Sequence, residues 1–488
     1  MDYEETKNPN PLRPSMCGIV GIRDAGGVSF SIYYALYALQ HRGQESAGIS
    51  TFDGTRLSKH KGQGLVAEVF DSAILESLEG NVGVGHVRYP TTGANRPENA
   101  QPFNFAHRDH IISIAHNGNL VNSRELREEY ESQGQLFCSS TDTELIAKVI
   151  TEEMCKSGCI EDAVHRCMRV LRGSYSVVMM IDGVLIGFRD PLGIKPLCIG
   201  KAEQGLIIAS ESVAIDALGG RFLRDVAPGE MIYIDEQGMR STQIAVSQRK
   251  AHCIFEYIYF ARADAILDGA LVYDVRLKIG AKLHEEAPVL ADSVCTVPDS
   301  GTAYAIGYSE RSKIPYVESL LKNRYMGRTF IMATQTEREM AVRIKLNPIR
   351  DHLDDKSVVL VDDSIVRGTT SRRIIGIMRD AGAREIHMRI GSPPIKAPCY
   401  LGVDMPTREE LIASDKVMDE VRKRITATSL HHISIEALVE AIGIDRANLC
   451  TGCLSGCYPV EIPGEQSSTP EVDYLDGTFQ TRLESFRS

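Results

Sequence analysis

The sequence predicts two folds in succession: an α+β layered domain, then an α/β domain wound on both faces of a parallel sheet. From Cys17 to about Gln248 short β-branched runs alternate with turns and are interrupted by two stretches of helical periodicity. Beyond about residue 270 the rhythm becomes short apolar strands each followed by a helical stretch, the pattern of parallel strands with crossover helices. A chain of 488 residues has room for both, since roughly 150 residues per domain gives two to four domains.

The elements follow in order. Residues 1–16, MDYEETKNPNPLRPSM, hold Pro9, Pro11 and Pro14 and no apolar core, so they are neither a signal nor a transit peptide and read as a disordered leader. The leader ends abruptly at Cys17, where Gly18, Ile19, Val20, Gly21 and Ile22 begin a strand. Strands are expected near 81–88, 111–116, 175–181 and 206–210, and helices near 144–150 and 160–171. The seam falls within 246–268, polar at first and then apolar from Cys253 to Phe260. Parallel strands are expected at 293–298, 329–332, 358–361 and 386–390. The domain limits are therefore 1–16, 17–250, 251–445 and 446–488, the last carrying cysteines and a polar surface tail.

Hydrophobic residues at 43% and charged residues at 24% exclude a disordered, collagen-like or coiled-coil chain. The net charge of -11 argues against a general nucleic-acid binder, so an anionic ligand needs a locally basic pocket. No apolar run reaches the roughly 18 residues of a membrane span. Twelve cysteines in so long a chain read as thiols or metal ligands rather than disulfide staples.

The string VVLVDDSIVRGTT at 358–370 carries the clearest chemistry. An apolar strand delivers Asp362 and Asp363 at its carboxyl end, where open α/β sheets bind ligands. Ser364, Val366, Arg367, Gly368, Thr369 and Thr370 then lead into a helical pattern that stops at Gly382. Free N–H groups and hydroxyls at that helix start suit a phosphate, while the carboxylates suit ribose hydroxyls or Mg²⁺ held partly through water. The string resembles the phosphoribosyl pyrophosphate (PRPP) motif of type I phosphoribosyltransferases. That family's pyrophosphate loop is similar to Val297-Pro298-Asp299-Ser300-Gly301-Thr302, which implies Mg²⁺ at Ser300, Asp362 and Asp363. A basic, glycine-bearing segment with Lys322, Arg324 and Tyr325 would close over PRPP and exclude water.

Cys17 supplies the second site. With the leader removed, its α-amine, pKa about 7.7–8.0, is a base beside its own thiol of pKa about 8.5. A Cys–His pair using His41, His86 or His116 is the competing scheme. The Cys17 start, Gln40-His41-Arg42-Gly43-Gln44-Glu45, Gly85-His86-Val87-Arg88-Tyr89-Pro90 and His116-Asn117-Gly118-Asn119 resemble glutamine amidotransferases of the N-terminal nucleophile class. The resemblance implies an αββα sandwich, an oxyanion hole from Asn117 and the Gly118 N–H, and glutamine held by Arg42, Arg88 and Asp142.

Cys253, Cys399, Cys450 and Cys453 match ligand positions of the iron-sulfur subgroup of amidophosphoribosyltransferases. Four thiolates suit a 4Fe-4S cluster or zinc, and spacing does not separate them; the resemblance favours a structural 4Fe-4S cluster. Cys457 is an additional candidate ligand, and Cys138, Cys155, Cys159, Cys167, Cys198 and Cys295 are expected to be buried small hydrophobes.

Both resemblances together cover the chain from Cys17 to about Cys453 and identify it as a member of the glutamine PRPP amidotransferase family. That implies a cytoplasmic homotetramer that takes glutamine and PRPP, uses Mg²⁺ and is inhibited by purine nucleotides. A glucosamine-6-phosphate synthase shares the glutaminase half but has no phosphoribosyl loop. A PRPP-sensing regulator would not need Cys17, Arg88 and Asn117.

Overall fold

In the computed structural model of the chain, the described residues are 16–89, 97–107, 110–203, 205–323, 346–405, 407–465, 472–474 and 480–483. Leader residues 1–15, the expected strand at 329–332, Arg324 and Tyr325 lie outside them.

The first half is built from β1 (Cys17–Arg23), β2 (Ser46–Phe52), β3 (Leu57–Gln63), β4 (Val82–Arg88), β5 (Phe103–His107), β6 (His110–Leu120), β7 (Gly173–Ile181), β8 (Val184–Arg189), β9 (Cys198–Ala202), β10 (Gly205–Ala209), β11 (Arg221–Asp225), β12 (Glu230–Asp235) and β13 (Gly238–Gln243). They form two antiparallel sheets, ordered β11-β9-β10-β1-β4-β2-β3 and β13-β12-β8-β7-β6-β5. The two sheets pack face to face through Ile19, Val82 and Val84 on one and Ala115, Val178 and Leu185 on the other. Gly21 makes that approach possible, because a Cβ there would stand 2.5 Å from Val178. Overpacking of that kind costs about 1–3 kcal/mol. Helix α1 (Ser29–Ala38) covers the first sheet with Ile32, Ala35 and Leu36, and the helices Asp142–Ser157 and Ile160–Val170 cover the second. The result is the expected αββα sandwich.

The second half holds a four-stranded parallel sheet in the order Ser293–Thr296, Ser357–Asp362, Glu385–Ile390, Ser429–His432. Alternation along one strand shows why both faces are covered. Val359 and Val361 join the core containing the helices Val272–Glu286 and Thr302–Ser312, while Val358 and Leu360 join the core of the helix Thr369–Asp380. The strand Ser429–His432 was not anticipated, since Ser-Leu-His-His lacks an apolar run.

The C-terminal region departs from the expected surface tail. Residues Gln480–Leu483 pair with the β13 edge and Val472–Tyr474 with Ala245–Ser247, so returning chain satisfies edge groups of the sandwich. Upstream of these, Leu449–Cys450 runs parallel to His252–Cys253. No helix among the described residues is long and apolar enough to cross a membrane.

Candidate active sites

Cys17 begins β1 and is buried beside its antiparallel neighbour β4, opposite Arg88. Its backbone nitrogen donates to Asn117 Oδ1 at 3.2 Å, which leaves Asn117 Nδ2 fully buried with no hydrogen-bond partner. A buried donor left idle is costly unless a ligand serves it. At the next residue a Cβ on Gly118 would collide with the Ser174 carbonyl, and its φ of +153° also favours glycine.

Arg88 lies 3.4 Å from Glu45, whose carboxyl burial pushes up and Arg88 pulls down, with a net rise. Asp142 opens the helix Asp142–Ser157, accepts from the Leu120 N–H at 3.0 Å and faces His116 Nδ1 at 3.4 Å. Burial opposes its ionisation, but His116 and that N–H win, and its pKa is lowered.

Arg42 stands differently from a ligand-binding arginine. It is buried beneath β1, with Nε donating to the Cys17 carbonyl at 2.9 Å and the rest of the guanidinium engaged by Glu256, at 2.8 and 2.9 Å, and by Glu211. Glu211 also meets His41 Nε2 and the Arg262 N–H. Burial alone would raise the Glu211 pKa, yet His41 and Arg42 hold it near 2. Of the other histidines, His116 is turned to Asp142, and burial first, with Arg88 and His116, pushes His86 down to about 3. An imidazole that resists protonation this strongly is a poor general base at neutral pH.

The second site is a cavity of about 670 Å³ at the carboxyl end of Ser357–Asp362. Ser300, Lys322, Asp362, Asp363, Ser364, Val366, Arg367, Gly368, Thr369 and Thr370 all line it. Gly368, with φ +75°, caps the helix Thr369–Asp380, and a side chain there would collide with Ile412. Burial, and then neighbouring Asp363, push the Asp362 carboxyl well above its usual range. Lys322 pairs with Asp299 at 2.6 Å and Arg367 with Glu410 at 2.9 Å. The same cavity is lined from the first half and the seam by Met16, Tyr89, Phe255, Tyr259 and Phe260. It thus reaches the residues adjoining Cys17 and Arg88, a convergence that no local motif announces.

The four cysteines proposed as ligands are drawn together from three segments. Cys253 and Cys450 are register partners, and the Cys453 carbonyl accepts from the Lys396 and Ala397 N–H groups, close in sequence to Cys399. Burial raises the Cys253 thiol to about 11, and mutual proximity adds to burial in raising Cys450 and Cys453. Among the described residues no three His, Cys, Asp or Glu side chains are already closed around a metal position. The donor set still fits: four thiols, Cys253 and Cys453 buried and Cys399 and Cys450 half-buried, while Cys457 is exposed. Of the cysteines expected to be buried, Cys167, Cys198 and Cys295 are, whereas Cys138 is exposed on a loop and Cys155 and Cys159 are half-exposed around a helix end.

An αββα sandwich with an N-terminal cysteine site, joined to a parallel sheet with a phosphoribosyl loop, defines a glutamine amidotransferase fused to a phosphoribosyltransferase. Residues 86–217 match the glutamine amidotransferase domain family. The chain is 54% identical over 454 residues to the amidophosphoribosyltransferase of Methanothermobacter thermautotrophicus, covering 92% of this chain and 96% of that one. It is 51% identical over 455 residues to that of Archaeoglobus fulgidus, with coverage of 92% and 99%. The solved structure of the Bacillus subtilis glutamine PRPP amidotransferase, complexed with ADP and GMP, aligns with a TM-score of 0.85 at 44% identity, covering 91% of this chain and 98% of that one. The chain belongs to the amidophosphoribosyltransferases.

Proposed function

We propose that Cys17 hydrolyses glutamine and that the ammonia attacks C1 of PRPP, giving 5-phosphoribosylamine, glutamate and pyrophosphate, the committed step of purine synthesis. The observation that carries this is the shared cavity, which runs from Tyr89, the neighbour of Arg88, to the loop at Asp362. Removal of residues 1–16 would free the Cys17 amine to take the thiol proton. The thiolate then attacks the carboxamide, Asn117 Nδ2 and the Gly118 N–H receive the oxyanion, and ammonia leaves a glutamyl thioester that water hydrolyses. Arg88 is matched to the glutamine carboxylate and Asp142 to its ammonium. Arg42, with its donors engaged, acts beneath the nucleophile in place of gripping glutamine.

In the second site Ser364, Val366, Arg367, Gly368, Thr369 and Thr370 bind the 5-phosphate by backbone and hydroxyl donors, and Asp362 and Asp363 bind the ribose hydroxyls. The charge of the departing pyrophosphate calls for Mg²⁺, which Ser300, Asp362 and Asp363 suit, and Lys322, Arg324 and Tyr325 are the further residues assigned to PRPP. Ammonia that picks up a proton loses its lone pair, so a route sheltered from bulk water between the sites is needed. Cys253, Cys399, Cys450 and Cys453 suit a 4Fe-4S cluster that would supply a structural crosslink. Purine nucleotides as inhibitors, a homotetramer and a cytoplasmic location complete the reading.

Cys17→Ala tests it. The variant should lose synthesis from glutamine and keep synthesis from ammonia; loss of both in a folded protein would overturn the division of labour.

A further inference from the structure

Residues 399–405 belong to the second half, yet three successive carbonyls along this segment are held by side chains of the sandwich. Asn119 Nδ2 donates to the Tyr400 carbonyl at 2.9 Å, Ser174 Oγ to Leu401 at 2.8 Å and Lys195 Nζ to Gly402 at 2.9 Å. The contact is close enough that a Cβ on Gly402 would lie 3.3 Å from the Gly118 carbonyl carbon and 2.7 Å from Lys195 Cε. Gly402 also has φ +92°, which favours glycine. The segment therefore lies directly on the stretch of β6 that carries Asn117 and Gly118, and its far end, Val403, Asp404 and Met405, lines the phosphoribosyl cavity.

Lys195 is the unusual member of the three. It is fully buried, and its ammonium donates to the Gly402 carbonyl and, at 3.1 Å, to the Met16 thioether, a partner lost with the leader, so Gly402 is the one that the processed chain keeps. Among the described residues it has no carboxylate partner, and its charge acts on the Cys253, Cys399 and Cys450 thiols, whose ionisation it favours, while it donates to the Gly402 carbonyl. Its backbone is fixed in turn, since the Lys195 carbonyl accepts from Ser176 Oγ at 3.0 Å and Arg189 Nε at 2.7 Å.

We propose that Lys195 is a positioning residue for glutamine hydrolysis: by pinning Gly402 it presses the 399–405 segment onto β6 and fixes Gly118 in the geometry that receives the oxyanion. This rests on the reading of Asn117 and Gly118 as oxyanion donors. Donors aimed at a transition state lose their effect when displaced by fractions of an ångström, so the loss belongs in kcat with KM for glutamine little changed.

The test compares Lys195→Met and Lys195→Arg with Asn117→Ala in the full chain, measuring glutamine hydrolysis and ammonia-dependent synthesis. Lys195→Met should lower the glutaminase kcat by about tenfold or more, as expected for a lost hydrogen bond to a charged group. Ammonia-dependent synthesis should stay unchanged, and Lys195→Arg should recover most of the rate. If Lys195→Met does not fold, Asn119→Leu with Ser174→Ala releases the same segment without unpairing a charge and carries the same expectation. An unchanged glutaminase in Lys195→Met beside a crippled Asn117→Ala overturns this proposal alone. An unimpaired Asn117→Ala overturns the oxyanion assignment beneath it. Equal loss of both activities in folded Lys195→Met makes the residue merely structural and also overturns the proposal.

Discussion

Asn117 reaches across 100 residues of sequence to accept the Cys17 backbone N–H through Oδ1, while its Nδ2 is held idle in the interior. One amide thus holds the Cys17 nitrogen with its oxygen and keeps a donor unused on its nitrogen. Asn117→Ala should lower glutamine hydrolysis by roughly 10²–10³-fold, the usual effect of removing one such donor. Steady-state assays with glutamine and with ammonia check this, and the ammonia rate should not move.

Asp362 is held protonated more readily in the folded chain than in the unfolded one. Its pKa is raised, so the folded state binds the extra proton, and stability falls as pH rises above the ordinary carboxyl value of about 3.9. Asp362→Asn should therefore raise the melting temperature of the ligand-free protein at neutral pH while abolishing synthesis from both nitrogen sources. A lower melting temperature at neutral pH would contradict this assignment.

Glu211 has the opposite sign. Its folded pKa of about 2 lies below the ordinary 4.5, so its contribution is complete above about 4.5 and is lost as the pH falls toward 2. The shift corresponds to something on the order of 3 kcal/mol at 1.36 kcal/mol per unit. Glu211→Gln should unfold more easily in denaturant at pH 7 and show a flatter loss of stability between pH 5 and 2. Parallel acid limbs for the two proteins would remove the role given to its pairing with His41 and Arg42.

Cys253→Ser and Cys450→Ser should each lower iron and acid-labile sulfide and bleach visible absorption, while Cys457→Ser, at an exposed thiol, should leave all three intact. A chelator that strips the metal should lower the thermal stability of the unaltered protein. Stoichiometric zinc in a colourless, fully active preparation would replace the cluster with another metal.

What the sequence made legible was local. The phosphate loop could be read because strand, carboxylates, Gly368 and helix start are contiguous, and the structure sets them around one cavity. The helices at Asp142–Ser157 and Ile160–Val170 followed from apolar spacing. What stayed hidden depends on distant pairing. Nothing near Arg42 reveals that Glu256 comes to it across 214 residues. Ser429–His432 becomes a strand only because Glu385–Ile390 offers it an edge.

The three bonds from Asn119, Ser174 and Lys195 span 281, 227 and 207 residues. During translation at roughly 5–20 residues per second, Gly402 leaves the ribosome about 10–40 s after Lys195. The amino-terminal half emerges first but lacks its last supports until the half that consumes its product has been made. A chain that stops before Tyr400 lacks all three of these bonds.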